Sequence, residues 1–179
     1  VIAAKAVAFK EARTQAYRDY AVRVRDNART LAAELQSLGM TIQTGGTDNH
    51  LMLINVSSFG LTGRQAESAM SECGITLNRN SLPFDPNGAW WTSGLRIGTP
   101  AVTTLGMGPA EMKEIARIIK LVLSASTPGK TDKGTVSKGK VTVDEAAKKE
   151  AVDAVKALLG KFVLYPELDL ELLKKYFVR

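Results

Sequence analysis

Cysteine and histidine are nearly absent from this 179-residue chain, and it contains no long hydrophobic run. One cysteine, Cys73, and one histidine, His50, leave no partner for an internal disulfide and no zinc ligand set of the usual Cys/His kind. A lone thiol fits a reducing, cytosolic setting. No apolar run approaches the roughly 20 residues that a bilayer-spanning helix needs, so we expect no membrane segment.

What the chain does contain is apolar material and a basic excess. Hydrophobic residues make up 45% of it, and 24 Lys and Arg face 18 Asp and Glu, a formal net charge of +6. This composition supplies the core of one large domain or two small ones and excludes an intrinsically disordered chain. Residues 124–143 hold four lysines and one aspartate, or 4 − 1 = +3. No aromatic stripe accompanies them, so the pattern favours a solvated linker over a nucleic-acid-binding surface.

The opening segment predicts one long helix. Residues 1–38 contain no glycine or proline, and from Tyr17 the apolar positions recur every three or four residues up to Leu38. A helix of that length is roughly 50 Å long, more than a small domain needs, so we expect it to connect two bodies. Residues 1–9 lack the basic region and cleavage site of a signal peptide. We interpret the chain as a piece of a longer protein.

The remaining pattern predicts an α/β, or layered α+β, fold in which short strands alternate with helices. Strands are expected at 40–43, 51–56, 75–77 and 95–97, and helices at 63–72, 109–123 and 144–159, with a last short helix after Pro166. We divide the chain into four parts: an inter-domain helix (1–38), a small α/β domain (39–124), a basic flexible linker (125–143) and a C-terminal helical extension (144–179).

Arg96 is the first candidate for binding chemistry. It stands among small residues at a predicted corner between a strand and a helix that opens with Thr99 as its N-cap and Pro100 in its first turn. A guanidinium presents two parallel N–H donors that match a carboxylate or a phosphate. An arginine also suits an ordinary surface ion pair, and the residues alone leave both interpretations open.

Amide and aromatic side chains supply further candidates. Asn78 and Asn80 could read a ring edge through paired donors and acceptors, or they could satisfy their own backbone. Trp90 and Trp91 fit either an aromatic wall of a ligand site or a position in the hydrophobic core. His50 follows a cluster of turn residues with no nucleophile motif nearby, so we interpret it as structural, and Cys73 as a packing residue.

Four ordered segments resemble the C-terminal part of serine hydroxymethyltransferase. They are IAAKAVAF (2–9), GGTDNHL (45–51), GITLNRNS (74–81) and TSGLRIGTPA (92–101). The resemblance extends to about Ser124. It implies a long inter-domain helix followed by the small domain of a fold-type I enzyme of the pyridoxal-phosphate-dependent transferases.

The resemblance also implies an activity and a set of contacts. The family interconverts serine plus tetrahydrofolate with glycine plus 5,10-methylenetetrahydrofolate, in amino-acid biosynthesis and one-carbon metabolism, as a homodimer or tetramer with active sites between subunits. By similarity, Arg96 grips the carboxylate of the amino acid and Asn80 hydrogen-bonds the pteridine ring of the folate. Gly88, Ala89 and Trp90 match the loop that borders the folate.

Some family features are missing. The family's cofactor lysine precedes a His-Arg-Gly run, and none of the fourteen lysines here has that context. We therefore expect no catalytic residue in this chain, pyridoxal phosphate bound by a missing domain, and no activity of the 179 residues alone. Leu105 stands where the family usually has an arginine, and the segment after Ser124 has no clear family counterpart. The alternative is a stand-alone, non-catalytic module that binds folate, an amino acid or RNA.

Overall fold

A computed structural model describes residues 1–165 and 167–177 of the chain. The helices are α1 (Ile2–Ala12), α2 (Gln15–Ser37), α3 (Gly63–Glu72), α4 (Gly88–Trp91), α5 (Pro100–Thr104), α6 (Pro109–Ser124), α7 (Glu145–Leu159) and α8 (Leu170–Phe177). The strands are β1 (Thr41–Ile42), β2 (Leu51–Asn55), β3 (Asn78–Asn80), β4 (Gly94–Gly98), β5 (Ser126–Lys130) and β6 (Val136–Val143). The predicted mixture of helix and sheet is confirmed. No helix in these described stretches is both long enough and apolar enough to cross a membrane.

The first four strands form one antiparallel sheet in the order β1-β2-β4-β3. The central strands β2 and β4 pair along their full lengths. On the far side of β4, β3 pairs in a register that sets Asn78 opposite Arg96 and Asn80 opposite Gly94. Because β3 and β4 are neighbours, the residues between them, 81–93, form a long loop that closes at one end of the sheet.

Helices cover one face of this sheet. Alternate residues of the central strands, Met52, Ile54, Leu95 and Ile97, are buried on that face. Helices α2, α3 and α6 supply the other side of the core through fully buried residues, among them Leu31, Leu35, Ala66, Met70, Met112, Ile119 and Val122. Burial alternates along β2 and β4, and no helix of the described residues covers the opposite face of the sheet.

The predicted single helix over 1–38 is wrong, because the chain breaks at Arg13 and Thr14. Thr14 is extended (φ −74°, ψ 156°), and its hydroxyl accepts a hydrogen bond from the Tyr17 backbone N–H at 3.2 Å as the N-cap of α2. The same hydroxyl donates to the carbonyl of Glu11 at 2.7 Å. A threonine that bonds both neighbouring helix ends stabilises the break. The continuous helix is α2, with 23 residues and a length of about 34 Å.

The predicted flexible linker over 125–143 is also wrong. Most of it forms the antiparallel hairpin β5–β6, closed by a turn in which the backbone N–H of Thr131 donates to the carbonyl of Thr135 at 2.8 Å. Burial alternates along β6 and is complete at Val143, which joins the main core. A composition of Gly, Lys, Ser and Thr indicates a linker only where no partner surface exists, and here α3 provides one.

Smaller differences concern element ends. The strand expected at 75–77 lies at 78–80. Thr99 occupies the N-cap position of α5, but its hydroxyl caps nothing: it donates to the carbonyl of Val24 in α2 at 2.8 Å. The buried hydroxyl donates across to α2 and accepts no hydrogen bond from the backbone N–H groups of its own helix. The helix predicted from Asp144 to Leu159 is confirmed, with the Asp144 carboxylate accepting from two backbone N–H groups of α7. Pro166 lies outside the described residues.

Candidate functional site

The helix-free face of the sheet carries the predicted binding residues. Strand alternation sets Arg96 of β4 and both Asn78 and Asn80 of β3 on this face. Leu51 and Leu53 of β2 lie half-buried on the same face. The site therefore combines one guanidinium and two amides beside an apolar surface, all on adjacent antiparallel strands.

Arg96 borders a shallow cavity on this face. Its side chain is exposed, and Nε donates a hydrogen bond to Oδ1 of Asn78 at 3.1 Å. The cavity has a volume of about 390 Å³ and is also lined by His50, Thr76 and Gly98. Within the described parts of the chain, the two terminal nitrogens of Arg96 have no hydrogen-bond partner. A guanidinium that is held at Nε and free at its outer edge can still form a two-point contact with an anion.

Asn78 orients this guanidinium. Its Oδ1 accepts from Arg96, and its Nδ2 donates to the backbone carbonyl of Arg79 at 2.8 Å. Asn80 differs, since its Nδ2 donates to the carbonyl of the next residue, Ser81, at 2.7 Å. Of the two interpretations of Asn80, this hydrogen bond matches the one in which the side chain satisfies nearby backbone. Its Oδ1 accepts no hydrogen bond from the described residues.

The loop 81–93 that follows Asn80 is organised by one carboxylate. Asp85 accepts hydrogen bonds from the backbone N–H groups of Leu82 (3.0 Å), Asn87 (2.9 Å) and Ser93 (2.7 Å) and from the Ser93 hydroxyl (2.7 Å). Partial burial by itself raises the pKa of Asp85, but these hydrogen bonds favour the ionised form and hold the pKa below its ordinary value. The ionised carboxylate thus ties the start of the loop to its end.

Within that loop, Gly88, Ala89 and Trp90 form most of the single turn α4 and are all exposed. The resemblance matches these three residues to a loop, and the structure places them in a short helical turn within the loop 81–93. Trp90 is 61% exposed, and its ring packs edge-to-face on Trp91, with centroids 6.5 Å apart. Neither tryptophan belongs to the hydrophobic core, and the two rings form an aromatic wall at the surface.

Two guanidinium groups pack on that wall. The Arg64 guanidinium carbon lies 5.0 Å from the Trp90 ring centroid and 5.5 Å from that of Trp91. Arg79, which is ion-paired with Glu67 of α3, lies 5.6 Å from the Trp90 centroid. Arg79 lies between Asn78 and Asn80 in β3, so its side chain is on the opposite face of the sheet, the one that the helices cover. Trp90, which contacts Arg79, therefore lies at the β3 edge beside α3. It does not lie over Arg96.

Other expectations have mixed outcomes. Cys73 is fully buried in the core, as predicted, and burial raises the pKa of its thiol. Leu105 is half-buried and packs against the core. At the position where the resemblance implies an arginine and its ion pair, this chain therefore makes an apolar contact. His50 is exposed, and its structural contact is made by its backbone carbonyl, which accepts from Thr99 at 3.0 Å.

Sequence reasoning missed the roles of Asn78 and Asp85. The partnership of Asn78 with Arg96 depends on strand register, for which no local signal exists. Asp85 could have been found, since an aspartate followed by Pro and Asn is typical of a turn closed by its own carboxylate. Among the described residues, no cluster of three or more His, Cys, Asp or Glu side chains is arranged to hold a metal ion.

Taken together, fold and site define a small α/β domain that carries a guanidinium and amides, groups able to hydrogen-bond an anion, on the open face of an antiparallel sheet. The serine hydroxymethyltransferase family model matches residues 1–119 of this chain. That is more than half of its length, and the chain belongs to the serine hydroxymethyltransferase family.

Curated bacterial relatives, each named serine hydroxymethyltransferase, extend the match. The Treponema pallidum protein is 61% identical over 179 residues, which is 100% of this chain and 31% of that protein. The Cutibacterium acnes protein is 53% identical over 171 residues, covering 95% of this chain and 35% of the relative. The chain thus spans about a third of the length of these relatives. The segment after Ser124, for which we expected no family counterpart, is shared with them.

Proposed function

We propose that this chain is the part of a serine hydroxymethyltransferase that binds the carboxylate of serine or glycine and borders tetrahydrofolate. The observation that carries the proposal is Arg96, which is fixed at Nε by Asn78 and open at its two terminal nitrogens beside a cavity. A carboxylate bound through two parallel hydrogen bonds is held in both position and orientation. The stand-alone module is not favoured, because the matched relatives are named as this enzyme.

Each candidate residue then has a defined task. Arg96 holds the carboxylate and so fixes which bond of the amino acid points to the reacting centre. Asn80 turns its amide from the Ser81 carbonyl to the pteridine ring, a change that replaces one hydrogen bond by another. Gly88 and Ala89 leave room for the folate, and Trp90 offers it an aromatic face.

Pyridoxal phosphate does not fit this chain as a resident group. It supplies an electron sink when it is bound through a lysine amine, and no lysine lines the cavity beside Arg96 in the described residues. We assign its binding to the part of the polypeptide that precedes this chain, and we propose that the 179 residues alone have no transferase activity. We also propose that the full-length polypeptide pairs with a second subunit as a homodimer.

The test is Arg96→Ala in the full-length polypeptide. Loss of a two-point charged contact is expected to cost about 2–4 kcal/mol, which lowers kcat/KM for serine by about 30- to 900-fold. Arg96→Lys should rescue little, because an ammonium cannot reproduce the planar fork. The matched control is Arg117→Ala, which removes an arginine side chain that is 44% exposed on α6, away from the site.

Serine kinetics that stay unchanged in Arg96→Ala would refute the assignment. Equal losses in Arg96→Ala and Arg117→Ala would point instead to a general effect on folding.

A further inference from the structure

A buried amide anchors the β5–β6 hairpin to the first turn of α3. Gln65 is 1% exposed, and its Nε2 donates to the carbonyl oxygens of Ser137 (2.6 Å) and Lys140 (2.9 Å). Its Oε1 accepts from the backbone N–H of Thr62 at 2.8 Å, and the Thr62 hydroxyl donates to the carbonyl of Lys138 at 2.7 Å. If the hairpin moved, both donors of a buried amide would be left without acceptors, which is unfavourable.

The same turn of α3 is joined to the end of the loop 81–93. The backbone N–H of Gly63 donates to the carbonyl of Thr92 at 3.0 Å. The next residue, Arg64, places its guanidinium over both tryptophan rings. The first turn of α3 therefore contacts both the hairpin and the segment that carries α4.

The hairpin also touches α4 and its flank directly. A Cβ added at Gly139 would lie 3.0 Å from Cζ3 of Trp91 and 3.5 Å from Nε of Arg64. Lys138 Nζ donates to Oδ1 of Asn87 at 3.3 Å, just before α4. A contact of 3.0 Å is tighter than ordinary packing, so a side chain at position 139 pushes the indole or the guanidinium aside by at least a few tenths of an ångström.

From these contacts we propose that the β5–β6 hairpin is a positioning element for the ligand-facing segment 80–93, acting through Gly139 on the Trp91–Arg64 stack. The inference rests on the proposed function in one respect, that this segment borders the folate. Gly139 and Gln65 are positioning residues, since they act through Trp91 and α3. The hairpin lies beyond residues 1–119 that the family model matches, but the bacterial relatives align across it.

Tryptophan fluorescence reports this contact directly, because Trp90 and Trp91 are the only tryptophans in the chain. We expect Gly139→Val to shift the emission to longer wavelength and to increase quenching by acrylamide, with far-ultraviolet circular dichroism unchanged. The matched control is Thr142→Val, which places the same side chain at an exposed position of the same strand. Gly139→Ala, a smaller change, should give a smaller shift in the same direction and serves if the valine variant does not fold.

The kinetic arm uses the full-length enzyme. Displacement of the segment should raise the KM for tetrahydrofolate about tenfold, since small misplacements of groups that position a substrate have large effects. Folate-independent cleavage of other β-hydroxy amino acids should keep its kcat/KM, which a general loss of folding would lower.

Unchanged fluorescence in Gly139→Val would overturn the inference. So would a normal folate KM in that variant while Asn80→Ala raises it. If Asn80→Ala and Gly139→Val both leave folate kinetics unchanged, the folate role in the proposed function is overturned, and the positioning role with it.

Discussion

Gly63, at the first position of α3, has no room for a side chain. A Cβ at this position would overlap the Thr92 hydroxyl and lie 2.6 Å from the backbone carbonyl oxygen of Gly94 in β4. Packed atoms approach to about 3.5 Å, so Gly63→Ala requires the helix and strand to separate by about 0.9 Å. The obstructing carbonyl belongs to a central strand, which cannot rotate away as a side chain would.

The cost follows from this geometry. Overpacking a core costs about 1–3 kcal/mol, and the backbone obstacle places Gly63→Ala in the upper part of that range. The better helix propensity of alanine offsets up to about 1 kcal/mol, which leaves a net loss of about 2 kcal/mol in the free energy of unfolding. For a chain of this size Tm should fall by about 4–8 °C.

Urea denaturation and thermal melts followed by circular dichroism measure the loss. The control Gly108→Ala substitutes a residue at the N-cap of α6 with a negative φ, −124°, and no atom nearer than 3.7 Å, and it should cost less than about 1 kcal/mol. A Gly63→Ala protein as stable as this control would refute the reasoning. Adding Thr92→Ala should not restore stability, and full restoration would show that the hydroxyl, and not the carbonyl, is the obstacle.

Three further predictions concern the site and the core. Asn80→Ala in the full-length enzyme should raise the KM for tetrahydrofolate and spare folate-independent cleavage; equal damage to both reactions would show that Asn80 only shapes the loop. Because hydrogen bonds hold the pKa of Asp85 below its ordinary value, they stabilise the fold above the unfolded pKa of about 3.9 and are lost as the pH falls through the folded value. Asp85→Asn should therefore lower the urea midpoint at pH 7, and the difference from the wild type should shrink below about pH 4; a constant difference contradicts the assignment. Burial raises the pKa of the Cys73 thiol, so its reaction with a disulfide reagent should follow the unfolded fraction in urea, and rapid reaction of the native chain would contradict this.

The correct predictions share a local origin. The helices expected at 63–72 and 109–123 are α3 and α6, and each begins at a local signal: Thr62 and Gln65, three residues apart, cap α3, and α6 begins at a proline. The apolar spacing of α6 is likewise contained in one element. The break at Thr14 is also local, but a helical pattern on both sides of a threonine conceals its role as a cap.

The errors share a different origin. A segment of Gly, Lys, Ser and Thr has little intrinsic tendency to form a strand. The β5–β6 hairpin depends on backbone carbonyl groups that accept hydrogen bonds from Gln65, more than 70 residues away. The hydroxyl of Thr99 likewise bonds Val24, 75 residues distant, in place of its own helix. Contacts at such separations leave no periodic or neighbouring signal in the sequence.

By itself the sequence determined the family, the mixture of helices and short strands, and the candidate residue types, a guanidinium and amides, that we propose bind a carboxylate and a pteridine. Short-range patterns suffice for these, because caps, turns and amphipathic faces depend on residues within a few positions of each other. The tertiary structure alone decided that Asn78 lies opposite Arg96, that Asp85 closes the loop 81–93, and that Gly139 lies against Trp91. Strand register and packing decide such pairings, and both are properties of the assembled chain.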